Sequence, residues 1–421
     1  MKKIVWLSNV DLRDTNPRQT GTWIHSMYSA LSERGEVQIC AIFSFTSRPD
    51  FHSVKAEGIT HYYIPFKKIN RDGYPSREAT DYVVEKILEE SPELIHVWGV
   101  ETSYGLMMGD SRLDGIKKLV DIQGVRSICA ESQYFMGSIS AADIVKMRSA
   151  FQRIFPIRRV ESVQKSFLEW RPAEQQSLIN IQNVNTQSEW VRTVLPSLVD
   201  IAEVNLFHTG IILRDSFVKS SPWYQVHKKG ENPVLFTTTS DAPYKGLHVT
   251  LKAFAIVRKK WPDALLYVAG MEKWKPNFLR GGYKKYITLL VKELALDDSV
   301  VFLGNIDEKE MLEYMYKADV FVISSFVESY CLALAEASAV GVPVVSAYST
   351  ALTELVSDGL TGLLYPVGDH YLCARSIQRY LGDEAFSYEI SRRASEFYRR
   401  EKSSEKALEL QMETYKTLLG E

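Results

Sequence analysis

Cysteine is scarce in this sequence and nowhere clustered. The chain has four cysteines in 421 residues, Cys40, Cys129, Cys331 and Cys373, and no two of them form a Cys-x-x-Cys pair. Zinc sites and disulfide frameworks both need cysteines at short, regular spacings. The sequence therefore predicts neither, and the thiols fit a reducing interior.

Long apolar runs and an excess of charge of one sign are missing as well. The sequence has no apolar run of about 18 residues, which a membrane-spanning helix would need. Its start, MKKIVWLSNV, has only the apolar run IVWL, which is too short for a signal peptide. The formal net charge is −2 and gives no reason to expect nucleic-acid binding. We therefore expect a cytoplasmic protein with no nucleic-acid partner.

The composition is that of a folded protein with more than one domain. Hydrophobic residues make up 45% of the chain and aromatic residues 11%, and 421 residues allow two domains and an appendage. Apolar strands and amphipathic helices alternate, as a parallel α/β sheet requires. The expected fold class is α/β, with two Rossmann-like domains facing each other across a cleft. The predicted limits are 1–212 and 213–385 for these domains and 386–421 for a helical tail that crosses back to the N-terminal domain.

The most informative region is a charge-poor stretch from Val320 to Thr353. At the average of 24% its thirty-four residues would hold about eight charges, but they hold two, Glu328 and Glu336. The pattern predicts a buried strand at Val320 to Ile323 and a helix at Leu332 to Val340. Ligands bind beyond the carboxyl ends of such strands, and helix N-termini attract anions. The alternative is a solvated helix face, because positions eight apart lie about 80° from each other.

Three other places are candidates for binding. Lys245 and Gly246 open a helix after a strand, where a lysine beside free helix N–H groups suits a phosphate. His96 lies near the carboxyl end of another strand, where a structural role is favoured over a ligand-facing one. Gly21 and Thr22 open the first helix after the first strand.

The segment from Lys146 to Arg171 is basic and amphipathic. It holds seven Lys or Arg against two Glu, interleaved with apolar and aromatic residues. Such a segment can make peripheral contact with an anionic membrane or an anionic acceptor. Helices that pack their apolar faces on their own domain are the alternative, and the sequence leaves both open.

The second half of the chain carries several motifs in a fixed order over roughly 130 residues. They are Lys245-Gly246, Val301 to Gly304, Ala318 to Val322, the Glu-x7-Glu pair Glu328 and Glu336, Ala337 to Val345, and Asp358 to Pro366. By these motifs the second half resembles the retaining glycosyltransferases of the GT-B fold, family four. The first half is only loosely similar.

By this resemblance the substrate is a nucleotide diphosphate sugar of the UDP or GDP type, with no cofactor and no metal ion. Glu336 would accept hydrogen bonds from the ribose, and Glu328 would contact the sugar near its reacting face. Lys245 would neutralise charge on the departing diphosphate. An acceptor hydroxyl would attack on the leaving-group side, with the leaving phosphate taking its proton. Further donor-binding positions are Ser240, Gly246, Ser329, Gly304, Asn305 and the backbone N–H groups of Tyr330, Cys331 and Leu332.

On the acceptor side, the resemblance marks Gly21, Thr22 and His96, which fall where the family has its glycine-rich loop and a histidine. The acceptor itself is expected to be a glycan or a lipid-linked molecule, as in polysaccharide or lipid-linked oligosaccharide assembly. The sequence identifies neither the base, the sugar nor the acceptor. A peripheral position at the inner membrane face, through residues 146–171, would suit such an acceptor.

Three positions depart from the family pattern. Ser240 stands where the family has a diphosphate-binding arginine, Ser329 to Cys331 replace Gly-Phe-Gly, and Thr350 to Ala351 replace Gly-Gly. These changes support an alternative, a catalytically weak or inactive sugar-nucleotide-binding partner subunit. A solute-binding protein would need export, and a sugar phosphorylase would need a cofactor lysine that we cannot place.

Overall fold

A computed structural model of the chain describes residues 1–13, 22–70, 72–155, 159–228, 230 and 232–420. The backbone groups into two compact units. The first unit comprises Met1–Ile128, Leu168–Ile212 and Ser404–Glu421, and the second comprises Cys129–Phe167 and Leu213–Ser403. Both units are built on a sheet with flanking helices, so the α/β fold class is confirmed.

The first unit contains an eight-stranded sheet in the order β3-β4-β2-β1-β5-β6-β7-β8. All neighbouring pairs are parallel except β3 and β4. Central strands are buried on both faces, which explains why they read as continuous apolar runs in the sequence. The strands are β1 Lys2–Ser8, β2 Val37–Thr46, β3 His52–Ala56, β4 Ile59–Pro65, β5 Leu94–Trp98, β6 Lys117–Ile122, β7 Asn183–Thr186 and β8 Asn205–His208.

Strand β3 was not predicted. It pairs antiparallel with β4 through a turn at Glu57 and Gly58, both with positive φ of 51° and 82°. Such two-residue turns join antiparallel strands and favour glycine. The strand lies at the sheet edge and has no fully buried residue, so its sequence carries little apolar signal.

The second unit contains a six-stranded sheet, all parallel, in the order β11-β10-β9-β12-β13-β14. The first strand, β9, lies between β10 and β12, so the strand order reverses there. This is the arrangement of a dinucleotide-binding Rossmann sheet, with its ligand crevice at the reversal. The strands are β9 Val234–Thr238, β10 Leu265–Ala269, β11 Val300–Gly304, β12 Val320–Ile323, β13 Val344–Tyr348 and β14 Leu363–Pro366.

Helices cover the faces of both sheets. Within the described residues, no helix is long and apolar enough to cross a membrane. The helices are α1 Thr22–Arg34, α2 Arg77–Glu90, α3 Tyr104–Met107, α4 Arg126–Cys129, α5 Ser132–Phe135, α6 Ala141–Met147, α7 Ala150–Ile154, α8 Val160–Glu169, α9 Arg171–Ile181, α10 Glu189–Val194, α11 Asp215–Val218, α12 Trp223–Val226, α13 Leu247–Arg258, α14 Tyr283–Glu293, α15 Glu308–Lys317, α16 Leu332–Val340, α17 Leu352–Leu355, α18 His370–Gly382, α19 Glu384–Glu401 and α20 Ser404–Leu419.

The contacts group two segments differently from the predicted limits. Residues 129–167 belong with the second unit, where His248 Nε2 hydrogen-bonds the Gly137 carbonyl at 2.6 Å. Of the predicted tail 386–421, only the part from Ser404 groups with the first unit. The sequence of region 211–232, with Pro222 and the polar run HKKGEN, predicts a linker. The structure instead has α11 and α12 there, and their Phe217 and Trp223 are buried in the core of the second unit.

Candidate functional site

The reversal of strand order in the second unit brings two predicted residues together. Lys245 lies in the loop after β9, and Glu328 lies in the loop after the neighbouring strand β12. The Lys245 Nζ atom donates to both oxygens of the Glu328 carboxylate, at 2.8 and 2.9 Å. A cation and an anion therefore stand at the position where sheets of this topology bind their ligands.

Gly246 allows these two loops to approach. Its φ is +70°, and a Cβ atom there would lie 1.9 Å from the Ser324 carbonyl oxygen. The loops are also joined directly, because the Phe326 amide donates to the Tyr244 carbonyl at 2.7 Å. The positive φ and the close approach of the two loops therefore require glycine at this position. The sequence had indicated Gly246 only as part of a donor-binding motif.

The ion pair keeps Lys245 positively charged. The side chains of Lys245 and Glu328 are 27% and 11% exposed, so the pair is only partly shielded from solvent. Burial acts to lower the pKa of Lys245, but the nearby Glu328 carboxylate raises this pKa above its usual range. The lysine remains a cation at neutral pH and can interact with an anionic ligand group that displaces or joins Glu328.

The loop after β13 fixes the backbone of Glu328. The Glu328 amide donates to the Thr350 hydroxyl oxygen at 2.9 Å, and the Ala351 amide donates to the Glu328 carbonyl at 3.4 Å. Thr350 stands where the resembling family has glycine, and glycine could not supply this hydroxyl. The Thr350 hydroxyl therefore helps to fix the backbone of Glu328, the residue that pairs with Lys245.

Glu336 has a different environment from the one predicted for a ribose-binding residue. It is fully buried in α16, and Arg214 holds both its oxygens, with Nε to Oε1 and Nη2 to Oε2 at 2.6 Å each. Arg214 also contacts Glu308 at 3.5 Å. Burial acts to lower the pKa of Arg214, but the hydrogen bonds that Arg214 donates to Glu336 raise this pKa. Burial raises the pKa of Glu336, although its hydrogen bonds with Arg214 and the charge of Arg214 oppose this rise. In this structure both carboxyl oxygens of Glu336 are therefore engaged by Arg214.

Sequence reasoning missed Arg214, which it placed in a linker. The charge-poor helix around Glu336 could have indicated that a basic partner exists, because a buried carboxylate in an apolar helix requires one. Arg214 lies just before α11, and its guanidinium packs over the Phe217 ring at 4.5 Å. Its place in the core of the second unit could not be read from a polar, proline-containing segment.

The residues between the two acids form the entrance to α16. Ser329 and Cys331 are buried, and Tyr330 is partly buried. Cys331 occupies the N-cap position without a side-chain capping bond, and α16 begins at Leu332 as predicted. Burial raises the pKa of the Cys331 thiol above its usual range, so the thiol stays protonated.

The other predicted donor-side residues lie at neighbouring strand ends. Gly304 ends β11 with φ +68° and accepts a hydrogen bond from the Gly270 amide at 2.7 Å, and Asn305 beside it is exposed. Ser240 lies after β9, and its carbonyl accepts from the Ala242 amide at 2.8 Å. These residues share one edge of the sheet with Lys245, as parallel strands require.

The predicted acceptor-side histidine is part of the core of the first unit. His96 is fully buried in the middle of β5, with Nδ1 2.8 Å from the Tyr415 hydroxyl and Nε2 3.2 Å from Asp121. Burial lowers its pKa. Both ring nitrogens are thus engaged by protein groups, which is the structural role that the sequence favoured over a ligand-facing one. Gly21 lies outside the described residues, and Thr22 is the first residue of α1.

Comparisons with known proteins find similarity in the segment that carries this site. Residues 223–399 match the sequence model of the family Glycosyl transferases group 1, and this segment includes Lys245, Glu328 and Glu336. Alpha-monoglucosyldiacylglycerol synthase from Streptococcus pneumoniae is 29% identical over 243 residues, which is 52% of this chain and 52% of that protein. Across the curated relatives, the matched part spans between 27% and 52% of their length.

Two solved structures share the fold over almost the whole length. Sucrose-phosphate synthase from Thermosynechococcus elongatus superposes with a TM-score of 0.74, covers 100% of both chains and is 20% identical. HepE from Anabaena, in complex with UDP-glucose, has a TM-score of 0.67 and 16% identity and also covers 100% of both chains. The fold of this protein is therefore GT-B, and the segment that carries the Lys245–Glu328 pair has the sequence features of group 1 glycosyltransferases.

Proposed function

We propose that this protein is a glycosyltransferase that moves a sugar from a nucleotide diphosphate sugar to a hydroxyl group of a glycan or a lipid-linked acceptor. The observation that carries the proposal is the Lys245–Glu328 ion pair at the strand reversal of the second unit. It lies inside the segment that matches the glycosyltransferase family. A cation fixed at this position suits the charge that develops on a departing diphosphate.

In the proposed reaction an acceptor oxygen forms a bond to the anomeric carbon while the bond from that carbon to the diphosphate oxygen breaks. The departing diphosphate takes the proton of the acceptor hydroxyl on the same face, so configuration is retained. Lys245 stabilises the diphosphate charge, and Glu328 accepts hydrogen bonds from the sugar. Because Lys245 supplies the positive charge, we propose that the reaction needs no divalent metal, and activity in excess EDTA checks this.

The proposed donor is a UDP- or GDP-linked sugar, and UDP-glucose is the first to test because a structural neighbour binds it. Purified protein is incubated with UDP-glucose, UDP-galactose or GDP-mannose, and the released nucleotide is measured. We expect turnover with one of these donors and its loss in Glu328→Ala. Lys259→Ala, an exposed lysine of the same unit, is the matched control and should keep full activity. Unchanged turnover in Glu328→Ala would contradict the assignment.

The alternative of an inactive sugar-nucleotide-binding subunit rests on a specific observation. The carboxylate of Glu336 is held by Arg214, and Ser240 cannot supply the charge of an arginine. Binding of UDP-glucose or GDP-mannose in calorimetry without nucleotide release from any donor would favour this alternative over transfer.

We further propose that the protein contacts an anionic membrane surface from the cytoplasmic side through residues 146–171. In this segment Lys146 pairs with Glu293 at 2.9 Å, which suits packing on its own unit. Ile154 and Phe155, however, are 72% and 47% exposed. Exposed apolar side chains beside basic residues favour an anionic lipid surface. Sedimentation with phosphatidylglycerol vesicles at low salt tests this, and Ile154→Ser should weaken it.

A further inference from the structure

His248 joins two segments of the second unit that lie 111 residues apart in the sequence. It is the second residue of α13, just after Lys245 and Gly246, and is only 2% exposed. Its Nε2 atom lies 2.6 Å from the Gly137 carbonyl oxygen, and its Nδ1 atom lies 3.0 Å from the Tyr283 hydroxyl. A carbonyl oxygen can only accept, so Nε2 carries the hydrogen and Nδ1 accepts from Tyr283. These two partners therefore fix one tautomer of the imidazole.

The imidazole is also held in its neutral form. Burial lowers the pKa of His248 to about 3, although the bond to the Gly137 carbonyl opposes this fall. The Tyr283 hydroxyl accepts in addition from the His248 amide at 3.1 Å, and so satisfies one of the N–H groups that the first turn of α13 leaves unpaired. The hydrogen bonds of His248 therefore do not change with protonation between about pH 5 and pH 8.

The same imidazole packs against the loop that carries Glu328. The rings of His248 and Phe326 are parallel within 7°, with their centroids 6.0 Å apart. Gly137 has φ +59° and approaches both loops closely. A Cβ atom there would lie 2.7 Å from the Pro243 carbonyl oxygen, 3.0 Å from His248 Cε1 and 3.1 Å from Phe326 Cε2. Glycine is therefore required for this contact.

The backbone of Phe326 is bonded to the loop that carries Lys245. Its amide donates to the Tyr244 carbonyl at 2.7 Å, and Tyr244 directly precedes Lys245. Glu328 follows shortly after Phe326, and its carboxylate accepts both hydrogen bonds from Lys245. The packing of His248 against Phe326 thus restrains both loops at once. This matters for catalysis, because a displacement of about 1 Å can slow a reaction about 100-fold.

We propose that His248 is a positioning residue for the transfer reaction, because its hydrogen bonds hold the loops of Lys245 and Glu328 in place. This assignment rests on the proposed function and deepens it. His248 acts through Phe326 and the two loops, since both of its ring nitrogens are engaged by protein groups. The segment from Cys129 to Phe167 supplies the carbonyl acceptor and is thereby part of the support of the candidate site.

The first measurement is the kinetics of transfer with the active donor. His248→Phe keeps an aromatic ring and removes the side-chain hydrogen bonds, so we expect kcat to fall about 10- to 100-fold. KM for the donor should change less than about 3-fold, because the loss falls on the transition state. His248→Gln places an amide N–H near the position of Nε2 and should restore most of kcat. His52→Phe, in the edge strand β3, is the matched control and should keep full activity.

The second measurement needs no donor. Hydrogen exchange of the Phe326 amide reports its bond to the Tyr244 carbonyl, and we expect exchange about 10-fold faster in His248→Phe than in wild type. His248→Gln should exchange nearly as slowly as wild type. Thermal melting shows whether each variant is folded. Tyr283→Phe removes a single hydroxyl and provides a milder variant, with kcat expected to fall about 3-fold.

Wild-type kcat and wild-type exchange in folded His248→Phe and Tyr283→Phe would overturn the inference. Equal losses in His248→Phe and His248→Gln would overturn it too, because the bond to Gly137 would then not be what positions the loops. A higher KM with kcat unchanged would make His248 a binding residue instead. If wild type turns over no donor while exchange at Phe326 still responds to His248→Phe, the proposed function fails and the hold of His248 on the loops stands.

Discussion

The carboxyl edges of the two sheets differ in how their acidic groups are paired. In the second unit Lys245 is paired with Glu328, and the buried Glu336 is paired with Arg214. In the first unit Glu101 Oε2 is buried and has no hydrogen-bond partner among the described residues. The acids of the second unit are thus held by basic side chains, whereas this oxygen of Glu101 is buried at a cost. The following changes test this difference, beginning with the largest expected effect.

The largest effect is expected from Arg214→Met. It leaves the fully buried carboxylate of Glu336 without its partner, which should lower the free energy of unfolding by about 3–5 kcal/mol. Urea unfolding measures the change. The double variant Arg214→Met/Glu336→Leu should recover much of it, because no buried charge remains. Arg400→Met, at a surface pair with Glu401, should change stability by less than about 0.5 kcal/mol.

Lys245→Ala should affect the reaction more than the fold. Removal of a prearranged positive group at a departing diphosphate should lower kcat by about 100- to 1,000-fold. Single-turnover measurements with saturating donor give this value, and Lys245→Arg should retain part of the rate. A fall in donor affinity with kcat unchanged would show that Lys245 only binds the ground state.

Gly246→Ala tests the close approach of the two loops. A methyl group would meet the Ser324 carbonyl in a backbone conformation with positive φ, so we expect a loss of about 3 kcal/mol in stability. Gly359→Ala is the matched control, since Gly359 has φ +72° with open space around it. There only the backbone strain of about 1–2 kcal/mol should appear. Equal losses at both positions would mean that the loop contact is unimportant.

Glu101→Gln should stabilise the free protein as the pH rises. The pKa of Glu101 is raised from 4.5 in the unfolded chain to about 7 in the fold, so wild type loses stability between these values as the group ionises. Glutamine does not ionise, and the melting midpoint of Glu101→Gln relative to wild type should therefore increase from pH 5 to pH 8, by about 2 °C or more. A constant difference would show that Glu101 is not held in an unfavourable site.

Much of the fold could be predicted because parallel strands buried on both faces leave continuous apolar runs. β12 and α16 have the predicted limits, Val320–Ile323 and Leu332–Val340. The missed strand β3 lies at an edge, where an alternating pattern of half-buried residues gives no such run. The predicted limits placed residues 129–167 in the first half, whereas the structure groups them with the second unit. This packing depends on contacts such as that of His248 with Gly137, which are more than 100 residues apart and leave no local pattern in the sequence.

Local apolar periodicity is sufficient to predict the alternation of strands and helices and the position of Lys245 and Glu328 beside two strand ends. The partners of the charged and buried polar residues depend instead on the three-dimensional packing of the chain. The Arg214–Glu336 pair joins positions 122 residues apart, and the bonds of His96 reach Tyr415 at a separation of 319 residues. Such pairings depend on strand order and helix packing, which no local pattern encodes.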